Sequence, residues 1–183
     1  MRLNNRKEQV LTAVVREHIR TALPVASDHL KQEAGVSSAT VRHEMSALEK
    51  EGYLRQPHTS AGRVPTEQGY RYYVEHCIEE QNVGEEVKAL QNMAPLIENA
   101  ETQMKQLARE IAQKLSEGVF IGFAPQSTYY TGLAYLFAQP EFSNVDLVRQ
   151  MGEIIDNLDR IVARLFEEVA PGVRVYIGGE NPF

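Results

Sequence analysis

The sequence predicts an α+β protein with a winged helix-turn-helix at its N-terminal end and a second part built around a long helical segment. Three observations predict it. Residues 35–73, GVSSATVRHEMSALEKEGYLRQPHTSAGRVPTEQGYRYY, read as a helix, a two-stranded hairpin and the start of another helix. From Glu85 onward, apolar residues recur at heptad spacing, the trace of a long helix. The charge is also divided: residues 1–76 hold 11 Lys/Arg against 9 Asp/Glu, and residues 77–183 hold 8 against 16. A chain of net charge −6 therefore has a mildly basic first part, which also carries all five histidines, and an acidic second part.

The first helix is expected over residues 4–22, with Val10, Leu11, Val14, Val15 and Ile19 as its buried stripe and Pro24 ending it. Ser27 caps a short second helix through residues 30–34, and Gly35 turns the chain into the third. Ser37 and Ser38 are good N-caps, because a hydroxyl there accepts a hydrogen bond from a free amide of the first turn. Val41, Met45 and Leu48 share one face, and Gly52 supplies the left-handed residue that closes the helix. Ala39, His43, Ser46 and Lys50 then point the opposite way, with Thr40 and Arg42 on the flanks. Residues 53–56 form a short strand, 57–62 have turn chemistry, and 63–65 bring the chain back before Thr66 caps a fourth helix toward Ile78. The polar stretch 79–84 reads as a linker between a domain at 1–78 and a second at 85–183.

In the second part a helical tract is expected over residues 85–117. Leu90, Ile97, Met104 and Ile111 repeat every seven residues, with Met93, Ala100 and Leu107 as a companion set. Pro95 divides the tract or sits in the first turn of its second half. Such a seam either clamps a second subunit or lies on its own sheet. Residues 119–123 are a short buried strand, Tyr129 and Tyr130 begin another, and residues 133–138 make one or two helical turns. Ser143 caps a long helix with Val145, Val148, Met151, Ile154, Ile155, Leu158, Ile161, Val162, Leu165 and Phe166 inside. Residues 173–177 are a last strand.

A helix followed by a hairpin with an arginine on either arm is the outline of a DNA reader. The helix enters the major groove with its first residues near base edges, and the hairpin's amides and cations meet phosphate. The face that would do this is Ser37, Ser38, Ala39, Thr40, Arg42, His43, Ser46 and Lys50. Arg55, His58, Thr59, Ser60, Gly62 and Arg63 form the wing. Arg63, beside the turn, is the expected phosphate contact, whereas Arg55 either does the same or pairs with a nearby Glu. Thr59, Ser60 and Gly62 shape the wing tip and offer backbone amides. Tyr70, Tyr72 and Tyr73 pack the fourth helix on the first, Tyr72 alone reaching toward phosphate.

Other chemistry finds little support. His58 and the pair His76 and Cys77 lack the spacing of a zinc site, and a single cysteine excludes an internal disulfide framework. There is no nucleophile elbow, phosphate loop or dinucleotide fingerprint, so no catalytic set and no cofactor is expected. Gly178 and Gly179 form a turn, and Asp156 and Asp159 a solvated face. No run nears the ~18 apolar residues of a membrane span, and no secretory signal is visible, which places the protein in the cytoplasm.

The runs SSATVRHEMSALEKEGYL and QPHTSAGRVPTEQGYRYYV resemble the N-terminal domain of the heat-inducible transcription repressors, the HrcA family. RLNNRKEQVLTAVVREHIRTALPV, TGLAYLFAQPEFSNVD and VRVYIGGENPF are similar to other parts of that family. The resemblance implies a winged-helix domain followed by a GAF-like α/β domain that carries a dimerising insertion. Residues 123–129 are too few to hold the insertion, so the resemblance implies a reduced GAF-like domain in an internally shortened relative or a fragment. It also implies a homodimeric repressor of chaperone genes on double-stranded DNA, with an inverted-repeat operator of CIRCE type and the chaperonin as modulator. His43 departs from the family, where asparagine is common; Asn pairs bidentately with adenine and His does not, so the base preferred there differs. An alternative from another class is a ligand-sensing or protein-interaction module whose winged helix contacts protein. Binding through phosphates would weaken steeply with salt and separates the two.

Overall fold

Local caps set the ends of the first helix. The Asn4 side chain accepts from the Lys7 amide at 2.9 Å, and Ala22, in the left-handed region at φ 53°, closes α1 (Asn5–Thr21) with a bond from its amide to the His18 carbonyl. These elements belong to a computed structural model that describes residues 2–30, 35–59, 61–78, 100–168 and 175–181. The chain divides into two units, Met1–Glu80 with Tyr176–Asn181, and Gln81–Val175 with Pro182–Phe183. The architecture is α+β, helices with two small antiparallel sheets.

In the first unit, Val10, Leu11, Val14 and Val15 of α1 are buried as expected, and Ala13 joins them. Ile19 does not: it is 56% exposed, because the last turn of α1 runs past the elements packed on it while the helical period continues. Beyond Pro24 the chain is extended, and Val25 exchanges two backbone bonds with Arg63, at 2.8 and 2.9 Å. Residues 27–30 are a turn; the remainder of the expected second helix, residues 31–34, lies outside the described residues.

Helix α2 (Ser38–Lys50) is capped by Ser37, whose hydroxyl accepts from the Thr40 amide at 3.2 Å, and Ser38 is its first residue. Its C-terminal end is a Schellman closure: Tyr53 N donates to Leu48 O, Gly52 N donates to Glu49 O, and Gly52 sits at φ +84°. Strands β1 (Leu54–Arg55) and β2 (Val64–Pro65) pair antiparallel, Leu54 with Pro65 and Arg55 with Val64. They are shorter than expected because the turn's own hydrogen bonds take over at Gln56.

Helix α3 (Glu67–His76) begins at Thr66, whose hydroxyl accepts from Gly69 N and donates to Gly52 O at 2.6 Å. A Cβ at Gly69 would stand 2.2 Å from the Tyr53 carbonyl oxygen, so only glycine lets α3 lie this close to the strand. Tyr72 is buried at the centre of the unit. It stacks on His76 and meets Tyr53 edge-on, and its hydroxyl accepts from Leu3 N at 3.0 Å and donates to Glu8. Phosphate is therefore out of its reach, and burial followed by the Glu8 bond raises its pKa. Tyr70 and Tyr73 pack against the same core as expected. Residues 175–177 are not in a strand; the turn after them, Gly178–Glu180, is fastened to α3 by Gly179 N to Glu67 at 3.3 Å and by Glu180 to Arg71 at 3.1 Å. The other residues of that expected strand, 173 and 174, lie outside the described residues, as does the linker 79–84.

In the second unit, α4 (Ala100–Leu115) packs on a hairpin of β3 (Val119–Ala124) and β4 (Ser127–Thr131), with register Val119 to Thr131 and an irregularity between Gly122 and Ala124. The buried line of α4 is Ala108 and Ala112, one position round from the expected Leu107 and Ile111, and Met104 is 42% exposed. Small residues let the helix approach the hairpin closely, while Lys105 lies over the rings of Phe123 and Tyr129 at about 5.5 Å. Leu90, Met93, Pro95 and Ile97 lie outside the described residues. β3 is half-buried rather than buried. Helix α5 (Leu133–Phe137) and a 3₁₀ turn (Pro140–Ser143) follow.

The expected single long helix is two, α6 (Val145–Asp156), capped by Asn144 instead of Ser143, and α7 (Leu158–Glu168). Asn157 separates them by donating its side-chain amide to the Glu153 carbonyl at 2.7 Å, a local bond that competes with the helix. Leu158, Ile161 and Val162 are buried, but Val145, at 79%, Val148 and Phe166 are exposed. The break divides the stripe between two helices; α7 packs on both strands of the hairpin, and Met151, Ile154 and Ile155 of α6 are half-buried.

Candidate nucleic-acid interface

The packing of α2 decides what it shows to solvent. Val41, Met45 and Leu48 are buried against α1, so Ala39, Arg42, His43 and Lys50 stand exposed, with Ser38, Thr40 and Ser46 half-buried beside them. Ser37, exposed at the N-cap, has its hydroxyl engaged by Thr40 at 2.9 Å and by the Thr40 amide. Two cations and a histidine thus share one surface with residues small enough to let a groove approach.

The hairpin adds further exposed polar residues, and Thr59 lines one cleft with Arg42. Arg55, His58 and Thr59 are exposed, and Ser60 lies outside the described residues. Gln56 donates its side-chain amide to two carbonyls, Thr59 O at 3.0 Å and Ala61 O at 2.9 Å, while Ala61 N donates to His58 O. One side chain therefore satisfies the inward carbonyls of the turn and fixes its shape.

Gly62 has a packing task. A Cβ there would stand 2.2 Å from the Val25 carbonyl oxygen, so glycine is required for the hairpin to run beside the Val25 backbone, and no anion is needed to explain it. Arg63, the expected phosphate contact, gives its Nε to Glu49 Oε2 at 2.8 Å. Arg55, for which pairing with a glutamate was the alternative, makes no ion pair among the described residues. The two arginines have exchanged environments. A cleft of about 360 Å³ lies between the turn after α1, α2 and the hairpin, lined among others by Ser27, Asp28, Arg42, Gln56, Thr59 and Arg63.

Among the described residues no group of three or more His, Cys, Asp or Glu side chains is placed to hold a metal ion, and no helix is long and apolar enough to cross a membrane. Glu17, near the end of α1, is held below the usual carboxylate range by its hydrogen bond to Arg20.

The model of the HrcA protein C terminal domain matches residues 67–183. This chain belongs to the HrcA family. Curated HrcA relatives named heat-inducible transcription repressors include one from Pelotomaculum thermopropionicum, 50% identical over 92 residues, covering 49% of this chain and 26% of the relative. Another, from Herpetosiphon aurantiacus, is 54% identical over 79 residues, covering 43% and 22%. A third, from Lachnoclostridium phytofermentans, is 34% identical over 157 residues, covering 85% and 44%. The matches thus span about a quarter to under half of the curated HrcA proteins. A solved structure described as a hypothetical protein at 2.2 Å resolution is 31% identical, covers 66% of this chain and 38% of its own, and has a TM-score of 0.49.

Sequence reasoning missed Val25, Gln56 and Glu49. Val25 carried one signal, an extended apolar residue directly after proline. Glu49 and Gln56 carried none, since each is defined by a partner elsewhere in the fold.

Proposed function

We propose that this chain is a DNA-binding transcriptional repressor of heat-shock genes. Its first unit is read as a winged helix-turn-helix domain in which α2 enters the major groove and the β1–β2 hairpin is the wing. The observation that carries the reading is that α2 exposes Arg42, His43 and Lys50 and the hairpin exposes Arg55, His58 and Thr59, with Arg42 and Thr59 lining one cleft. The names of the HrcA relatives support it. The second unit is read as a reduced GAF-like domain that brings two copies together, so that two α2 helices meet the halves of an inverted repeat of CIRCE type in the cytoplasm. The chaperonin is its modulator in this reading.

The test is fluorescence anisotropy of the full chain with a labelled CIRCE-type duplex and a scrambled duplex of the same composition, at about 50 and 200 mM salt. Preference for the repeat, with affinity falling steeply as salt rises, is expected. His43→Ala should change base preference at one position of each half-site. Equal and salt-insensitive binding to both duplexes, or none, would sink this reading in favour of a hairpin that contacts protein.

A further inference from the structure

Resting on the DNA-binding reading, the geometry points to Glu49 as a positioning residue of the interface: it holds Arg63 by Nε so that the guanidinium's two Nη groups are presented to a backbone phosphate. Glu49 lies in the last turn of α2 and Arg63 on the return arm of the hairpin, and the 2.8 Å bond joins these two elements across 14 residues of sequence. Only Nε is engaged; the Nη groups make no hydrogen bond among the described residues. The side chains are 20% and 32% exposed, so the pair is confined yet still reached by solvent. Arg63 lines the same cleft as Arg42, where Asp28 is the other charged residue.

Arginine suits this arrangement and lysine does not, because the fork offers Nε to one acceptor and two further donors to a phosphate in the same plane. An arginine free to sample its rotamers would have to be ordered on binding; one already tethered has less freedom to lose. The tether is also mechanical. With Val25 paired to Arg63 on one side and Glu49 bonded to it on the other, the return arm of the wing is fixed to the groove-reading helix at the residue that meets the backbone.

The sign of one substitution separates this role from bare charge. A carboxylate near DNA phosphates repels them, so if Glu49 were only a charge, Glu49→Ala would tighten binding. As a positioning residue it should do the reverse. The experiment measures affinity for the CIRCE-type duplex against salt for the full chain and for Glu49→Ala, Glu49→Gln, Arg63→Ala, Arg63→Lys and the double alanine variant, each checked for helix content by circular dichroism. Arg63→Ala should lower the salt slope by roughly one unit, so that the affinity lost between 50 and 200 mM shrinks by about 3.5-fold. Glu49→Ala should weaken binding in the wild type and have no further effect once Arg63 is alanine. Glu49→Gln, which keeps an oxygen for Nε, should retain most of the affinity, and Arg63→Lys should lose it although the charge is unchanged. Tighter or unchanged binding by Glu49→Ala, or an undiminished effect in the Arg63→Ala background, overturns the assignment. Should Glu49→Ala not fold, retention by Glu49→Gln and loss by Arg63→Lys support it, and equal affinity of Arg63→Lys and wild type overturns it. A wild type that binds no duplex overturns the DNA-binding reading itself, and this role with it.

Discussion

The two units bury their apolar residues in different ways. In the first, α1, α2, the strands and α3 close over one continuous core in which Val10, Leu11, Val14, Val41 and Leu48 are wholly inaccessible. In the second, the residues that are buried among those described are Ala108 and Ala112 of α4 and Leu158, Ile161 and Val162 of α7, while β3 and β4 stay half-covered. Large side chains enclosed on every side contribute most of a domain's stability, whereas small ones at a helix contact mainly permit close approach. The difference teaches that the first unit supplies its own rigidity. That is what a surface needs if α2 and the hairpin are to present a fixed arrangement of cations.

The strongest way to break the comparison is to hollow the first core. Leu48→Ala, at a site with no room for solvent, should cost about 3–4 kcal/mol, measured by urea unfolding followed through tyrosine fluorescence. A smaller effect, about 2 kcal/mol, is expected for Gly62→Ala, because the added Cβ meets backbone atoms of Val25 that cannot swing aside. The same variant should lower duplex affinity by displacing the wing, and unchanged stability would mean that the hairpin is not seated on Val25.

Tyr72→Phe removes a hydroxyl that serves both Leu3 N and Glu8, and should cost about 1 kcal/mol in the same assay. Its pH dependence sharpens the point. The folded-state pKa of Tyr72 is raised, so the neutral form is favoured in the fold. That contribution is fully present below the ordinary tyrosine value of about 10 and is lost as pH rises from there through the raised folded value. The wild type should therefore lose stability in that alkaline window more steeply than Tyr72→Phe; parallel curves would place the Tyr72 hydroxyl in solvent. Last, Val145→Ala at the exposed start of α6 should change stability by less than about 0.5 kcal/mol. A larger loss would show that the second unit relies on that face, and the contrast between the units would narrow.

Much of the first unit was legible in the sequence. Ser37 and Thr66 are caps, Gly52 closes α2 in the left-handed region, and Val41, Met45 and Leu48 face inward, all as residue type and spacing imply. The exposed residues of α2 followed directly, since fixing one face of a helix fixes the other. Legibility fell where several faces were similarly apolar. α4 carries Met104, Leu107 and Ile111 at heptad spacing, yet buries Ala108 and Ala112, because closeness to the hairpin decided the matter over hydrophobicity. The break at Asn157 was equally obscured, since the apolar period runs through it and only the Asn157 bond to the Glu153 carbonyl marks it.

What the sequence by itself determined is therefore local: where α2 and α3 start, where the chain turns after α2, and which residue types stand on the exposed face of α2. Those features depend on hydrogen bonds and periodicities within about four residues, which a linear chain already contains. What only the tertiary structure decided is partnership. Whether Arg55 or Arg63 meets a glutamate, whether Gly62 serves an anion or the Val25 backbone, and whether Tyr72 faces solvent or Glu8 turn on residues 14, 37 and 64 positions away. Such contacts exist only once the core has set the elements at fixed distances from one another.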